Sequence, residues 1–364
     1  MLNAPFGSPQ PPPAGVRVAL QPDWQPSALA PVGPPPPLDY GLQTWPESAS
    51  PIGPPPNAGF FQDVADNGLV RALLGIHDRE FLPNYYDPFA SQQFAYGCVR
   101  TTPYRLGWNT QQEAVYIGSA PTSGVSGDFQ STEFNSSLRY ALLLDEQLLF
   151  AATGSWNSRY WSGPTGIAMP PYVDQLVADV QLSSVDPGPW NWMVGVTPQI
   201  NSDFQRQLTS NAYMVDARVV LFNKLSPQLT VAIGAAYWDR ANNLFIPYGG
   251  LIWTPDDRWE VRAMFPKSRV SFYLGNMEET DVWVYGAGEY TVDAYQIDFD
   301  DATRLKDRAE FRDYRLLLGI HGQRYNRSTF IEGGYITDRH VDFLGSTPGF
   351  GIGDSWIVRA GIAF

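Results

Sequence analysis

The chain has 364 residues, a formal net charge of −13 and a single cysteine, Cys98. Such acidity argues against a nucleic-acid partner, which needs a basic footprint, and one thiol excludes an intrachain disulfide or a thiolate metal cluster. No apolar run reaches the length of about 18 residues that a membrane-spanning helix needs. The mean hydropathy of −0.23 leaves a β-barrel open, because a barrel wall alternates apolar and polar residues.

Seventeen of the 32 prolines fall within residues 1–56, among only four charged residues. Clusters such as "PPPAG" and "GPPPPL" cannot enter a helix or a central strand. Residues 1–58 therefore read as an extended, disordered polyproline-type tether, with an SH3-type ligand as the sharper alternative. The opening "MLNAPFGSPQPPP" has neither a basic n-region nor an apolar h-region, which counts against an exported protein.

Residues 59–112 read as a short helix followed by an aromatic loop, a candidate plug. Over 60–74, Phe60, Phe61, Val64, Val70, Leu73 and Leu74 share a broad apolar face, although Asn67–Gly68 weakens its middle. Cys98 lies in the loop and reads as a half-buried small side chain.

From residue 113 the pattern changes to period two, segment after segment. In "YMVDARVVL", Tyr213, Val215, Ala217, Val219 and Leu221 oppose Asp216 and Arg218; in "YRLLLGIH", Tyr314, Leu316, Leu318 and Ile320 oppose Arg315, Gly319 and His321. From Asp281 to Tyr295 the charges Asp281, Glu289 and Asp293 hold one phase, which predicts a single strand longer than soluble sheets usually carry. Tight turns at 144–147, 185–189, 223–227, 254–257, 275–279 and 322–326 alternate with longer links at 157–171, 201–210, 239–244, 298–309 and 338–353. Only the link at 265–268, "FPKS", is short where a long one is due. Short links on one rim and long ones on the other are the pattern of outer-membrane barrels. Thirteen strands can be counted from Leu138 to Phe364, and "EAVYIGSA" at 113–120 supplies the one more that an even barrel requires. The expected fold is thus all-β, an antiparallel transmembrane barrel of about 14 strands over 113–364, with 12 as the alternative count.

Alternation places fourteen charges on the lumen side: Arg139, Asp179, Asp216, Arg218, Arg258, Glu260, Arg262, Arg269, Glu289, Asp293, Asp313, Arg315, Glu332 and Arg359. They read either as ion pairs bracing the barrel or as the lining of a solute path, in which an Arg258/Arg262/Arg269 hairpin favours anions. Catalytic and metal chemistry is not apparent. Of the three histidines, His77 follows the helix, His340 falls in a long link, and only His321 takes a lumen phase. Ser271 and Ser328 are candidates for a serine–histidine pair with it, but nothing in the sequence places them there. Asp298, Asp300 and Asp301 could ligate calcium, yet the run lacks the glycine and terminal glutamate of a calcium loop, so a solvated loop is the simpler reading.

The chain ends "DSWIVRAGIAF". Trp356, Val358, Ala360, Ile362 and Phe364 share one face, and this ending resembles the C-terminal assembly signal of bacterial outer-membrane barrels, in which a terminal aromatic closes an alternating strand. A more specific likeness lies in "IPYGGLIWTPDDRWEVRAMFPKSRVSFYL" (246–274), "FRDYRLLLGIHG" and "WIVRAGIAF". These stretches resemble a family of uncharacterised bacterial proteins, a domain of unknown function assumed to be an outer-membrane β-barrel. The resemblance spans roughly 113–364, is clearest over 246–364, and implies fold and location without a substrate or a catalytic residue.

The expected function is accordingly passive, without an enzymatic role or a cofactor: a porin-like channel or a structural protein of the bacterial outer membrane. Its expected partners are membrane lipid, the barrel-assembly machinery through the last strand, and small solutes. A lipid-acting barrel esterase and a soluble β-sandwich binding module are the alternatives.

Overall fold

The computed structural model describes residues 81–82, 104–145, 147–185, 188–299, 306–325 and 327–364. The proline-rich tether, the helix expected over 60–74, Cys98 and His77 all lie outside these residues.

The strands, in chain order, are β1 (Phe81–Leu82), β2 (Tyr104–Arg105), β3 (Gly107–Ser123), β4 (Asp128–Leu143), β5 (Leu148–Ser162), β6 (Tyr172–Ser184), β7 (Trp190–Ser202), β8 (Tyr213–Ser226), β9 (Leu229–Trp238), β10 (Leu244–Trp253), β11 (Trp259–Phe265), β12 (Lys267–Met277), β13 (Thr280–Asp298), β14 (Lys306–Arg324), β15 (Arg327–Phe343), β16 (Phe350–Ile352) and β17 (Ser355–Ala363). β1 and β2 pair with each other. The other strands form one closed antiparallel barrel of 14 spanning strands, with β16 as a short extra piece between β15 and β3. Closure is made by β17 on β3, where Phe364 N–H donates to Thr110 O (2.9 Å) and Thr110 N–H to Phe364 O (3.1 Å). No sheet edge is left between the first and last spanning strands.

Sequence and wall agree strand by strand. On β14, Tyr314, Leu316, Leu318 and Ile320 are exposed on the outside, while Asp313, Arg315, Leu317 and His321 are buried within. The outer face carries aromatic belts near both rims, the arrangement that interfacial rings favour. Trp108, Trp190, Trp192, Trp253 and Trp259 lie toward the short-turn rim; Tyr160, Tyr213 and Trp356 lie toward the other. Leu176, Val180, Val219, Ile233, Leu318 and Ile331 fill the band between. Trp356, Val358, Ala360 and Phe364 of the final strand are on this outer face, alternating with inward Ser355, Ile357 and Ala363.

Wall height is uneven. β11 has 7 residues whereas β13 and β14 have 19 each. β12 therefore leaves β13 at the pair Lys267–Glu289, and Tyr290 N–H makes a last contact with Pro266 O (3.0 Å). Above that point β13 leans across the mouth to β7, where Gln296 pairs in parallel with Ser202. Its outward-phase residues Val292, Ala294, Gln296 and Asp298 are consequently buried.

Candidate functional site

The lumen of a barrel is where polar side chains of a membrane-spanning wall can be satisfied, and the inward charges here are largely paired. Arg159 bridges Glu133 and Asp293, both at 2.9 Å. Arg315 pairs with Asp313 at 2.8 Å and reaches Glu133 at 4.0 Å. Arg359 sits between Glu289 (3.0 Å) and Glu332, and Tyr285 Oη donates to Glu332 at 2.6 Å. Arg262 pairs with Glu260, and the Arg269 guanidinium lies 3.9 Å from the Tyr285 ring centroid. Toward the other side, Arg218 grips Asp179 with both amino groups, at 2.6 and 2.9 Å. It passes over Gly195 on the intervening β7, where a Cβ would meet the guanidinium at 2.6 Å. Arg240 holds Asp216 with two bonds of 2.8 and 2.9 Å. Arg139 lies lower down, 4.5 Å over the Tyr104 ring.

Arg258 is the exception among the expected lumen charges. It lies exposed in the turn before β11, because the Asp256 carboxylate accepts the amides of Arg258 and Trp259 and so ends the alternation one residue short of it. Its partners in the supposed arginine hairpin, Arg262 and Arg269, do face each other as a cross-strand pair. Among the inward charges that sequence reading passed over are Glu133, Arg159, Arg240, Arg339, Glu113 and Lys267.

An amide chain completes the inner wall. Asn157 donates to Gln175 (2.9 Å), Gln175 to Gln199 (2.7 Å) and Gln199 to Asp216 (3.0 Å), so side-chain hydrogen bonds run from β5 to β8. Between this wall and the arginines lies a cavity of about 400 Å³, lined by Gln111, Glu113, Asn135, Gln175, Lys267 and Glu289 together with Arg159, Arg262, Arg269, Arg315 and Arg359.

The long-link end of that cavity is capped by packed side chains. There, Phe129, Trp161, Tyr295, Ile297, Phe299, Phe311, Val341 and Phe350 form an apolar cluster inside the barrel. The leaning part of β13 is tied down by Arg240 Nε–H to Val292 O (2.7 Å), Asn201 Nδ2–H to Ala294 O (2.9 Å), and Thr209 N–H to Gln296 Oε1 (2.8 Å). Arg308 on β14 reaches over to donate to Asn211 O, Ser210 O, Tyr213 O and Arg240 O, and to Asp239 at 2.8 Å. At the short-turn end, Tyr104 and Leu106 pack against Ala141, Leu149 and Ala151.

His321 faces the lumen but is buried edge-on against Trp283, with ring centroids 5.6 Å apart. Strand register sets Trp283 and Phe330 across from it, and neither Ser271 nor Ser328. His340, expected in a long link, lies instead within β15 on the outer face, where its Nε2 is 3.3 Å from Asp342 Oδ1. Gly351 pairs with His340 on one side and Ser123 on the other. His340 Nδ1 and Ser123 Oγ lie 3.8 and 2.6 Å from the point where a Gly351 Cβ would sit.

The closed antiparallel barrel of 14 strands resembles those of bacterial outer-membrane proteins. An outer membrane channel from Pseudomonas putida F1 is 12% identical, with a TM-score of 0.41 over 77% of this chain and 100% of that one. LpxR from Salmonella typhimurium is 9% identical, with a TM-score of 0.35 over 70% of this chain and 99% of its own. The Pseudomonas putida toluene transporter TodX is 9% identical, with a TM-score of 0.34 over 71% and 89%. At these values the likeness is one of barrel architecture. No protein-family model matches the chain, and no curated protein is significantly similar to it. The family of unknown function that residues 246–364 resemble thus gains no support from these comparisons.

Proposed function

We propose that this protein is a channel of the bacterial outer membrane for small polar solutes, held in a resting state with its mouth covered. The observation that carries the reading is the polar cavity of about 400 Å³ in mid-lumen. A barrel braced only for rigidity would fill that space with side chains, as small barrels do, and leave no cavity. Here the lining is arginine, carboxylate, amide and hydroxyl, which suits a wetted path. The cap at the long-link end rests largely on side-chain contacts, several of them through loops, and such contacts open at less cost than a strand ladder.

Single-channel recording of the full chain in a planar bilayer tests this. Discrete conductance steps with an anion preference weakened by Arg262→Ala support the proposal. A folded, bilayer-inserted protein that stays silent, and stays silent when Arg240→Ala loosens the mouth, refutes it and leaves the structural role.

A second reading has one observation in its favour. Ser123, His340 and Asp342 lie in a row on the outer face near the long-link rim, with Gly351 leaving room between the serine and the imidazole. That is the order nucleophile, base and orienting acid of an acyl hydrolase. Hydrolysis of phospholipid or a short-chain ester by the purified protein, abolished in Ser123→Ala and His340→Ala, would favour it over the channel.

A further inference from the structure

Two carboxylates are buried together at the barrel mouth. Asp203 follows the end of β7 and Asp298 ends β13, and both are almost fully buried, at 0% and 3% exposure. Asp203 Oδ2 accepts the Asp298 amide at 2.9 Å, which brings the two residues to one spot. Asp203 Oδ1 takes the Gln205 amide at 3.2 Å and has Ser202 Oγ at 3.4 Å. Among the described residues, neither oxygen of the Asp298 carboxylate has a hydrogen-bond partner. Lys306 Nζ stands 3.9 Å from Asp298 Oδ1, the outer limit of an ion pair, and donates to Gln207 O. Lys306 at that distance, with Arg206 as the more remote cation, makes no hydrogen bond to the Asp298 carboxylate.

Burying an ionised carboxylate without partners is among the most costly arrangements a protein can hold. An unsatisfied buried group in an otherwise well-bonded region calls for a missing ion or proton. The acceptors around the Asp298 carboxylate are hard oxygens: the Asp203 carboxylate, the Ser202 hydroxyl and, beyond Lys306, the Gln207 carbonyl. Such a donor set suits calcium, which accepts irregular oxygen shells. Magnesium suits it less, because it retains several waters and this site is buried.

We propose that Asp203 and Asp298 bind a divalent cation, calcium by preference, that ties the end of β7 to the end of β13 across the barrel mouth. The site is independent of what passes through the lumen. It sits beside the Gln296–Ser202 pairing, so its occupancy would hold the leaning part of β13 in place.

The test uses the full chain in detergent, stripped with a chelator and then titrated with calcium chloride or magnesium chloride. Calorimetry and thermal unfolding are read in parallel. The expected result is one saturable calcium site per chain, with an affinity in the range of extracellular calcium modules, about 10⁻⁴ to 10⁻³ M or tighter. Calcium should raise the unfolding midpoint, with a smaller effect from magnesium. Asp298→Asn and Asp203→Asn should each weaken binding about tenfold or more, since affinity follows the ligand charge count, while Asp257→Asn, an exposed acid in a short turn, should not. Absence of any saturable calcium effect on the wild type overturns the proposal, and so does unchanged affinity in both variants. If instead the wild type ignores calcium and Lys306→Ala alone lowers the midpoint, the lysine is the sole counter-charge and no cation site exists. The wild-type titration decides the matter even if one variant fails to fold.

Discussion

Gln296 of β13 pairs in parallel with Ser202 of β7, although five strands lie between the two around the wall. All other pairings within the barrel, among the described residues, are antiparallel neighbours. The contact shows that the upper part of β13 has left the wall to cross the mouth. Arg240 is the side chain best placed to hold it there, through Val292 O and the bidentate pair with Asp216. Arg240→Ala should therefore raise the open probability in bilayer recordings. It should also lower stability by about 1–3 kcal/mol, because the half-buried Asp216 loses its charged partner and keeps only the Gln199 and Asp239 hydrogen bonds. Urea unfolding in micelles measures the second effect, and wild-type values in both assays would show that Arg240 does not secure the mouth.

Arg359 separates Glu289 from Glu332 in the lumen. Its removal leaves two buried carboxylates facing one another, so Arg359→Ala should destabilise by about 3–5 kcal/mol. Arg359→Lys keeps the charge but loses the planar fork that spans both acids. It should fall between wild type and alanine. The heat-modifiable shift on a gel, followed against temperature, ranks the three.

Leu318 is 66% exposed on the outer face of β14. In a water-soluble protein Leu318→Arg would be almost neutral. At mid-depth in a bilayer the same change costs about 2–4 kcal/mol. Folding free energies measured in lipid vesicles distinguish the two, and a neutral result would speak against membrane insertion of this face.

Gly250 has φ +146°, and a Cβ there would overlap the carbonyl oxygen of Ala263 on the neighbouring β11. Gly250→Ala should cost about 1–3 kcal/mol through backbone strain alone. Gly154 has open space around the same position and an ordinary φ, so Gly154→Ala serves as the paired control, expected within about 0.5 kcal/mol of wild type as surface substitutions usually are. Refolding yield and urea midpoint for the two variants make the comparison.

Much of the wall was legible in the sequence because one face of each strand meets an apolar exterior and the other a polar interior. That contrast writes itself into alternation wherever the exterior residues are Leu, Val or Ile, as in β8 and β14. It fades toward the long-link rim. In "SWNSRYWS" on β5 both faces are polar or aromatic, so Arg159 carried no phase, and Glu133 lay in a serine- and asparagine-rich stretch of β4. Arg258 failed for a different reason: the Asp256 side chain caps the strand start, a local hydrogen bond that periodicity does not register. The cover over the mouth was illegible because it depends on contacts such as Arg308 to Ser210 and Asn201 to Ala294, between segments about 90 to 100 residues apart.

The difference in length between β11 and β13 gives the outer part of β13 the mechanics of a lever. Its pivot is the Tyr290–Pro266 hydrogen bond, and beyond that point no ladder binds it to β12. A swing of this arm with β14 would break a few side-chain bonds and the short bridge to β7, while the stave-like lower wall stayed whole. A barrel built this way can change the bore of its mouth without loosening the part that the membrane grips.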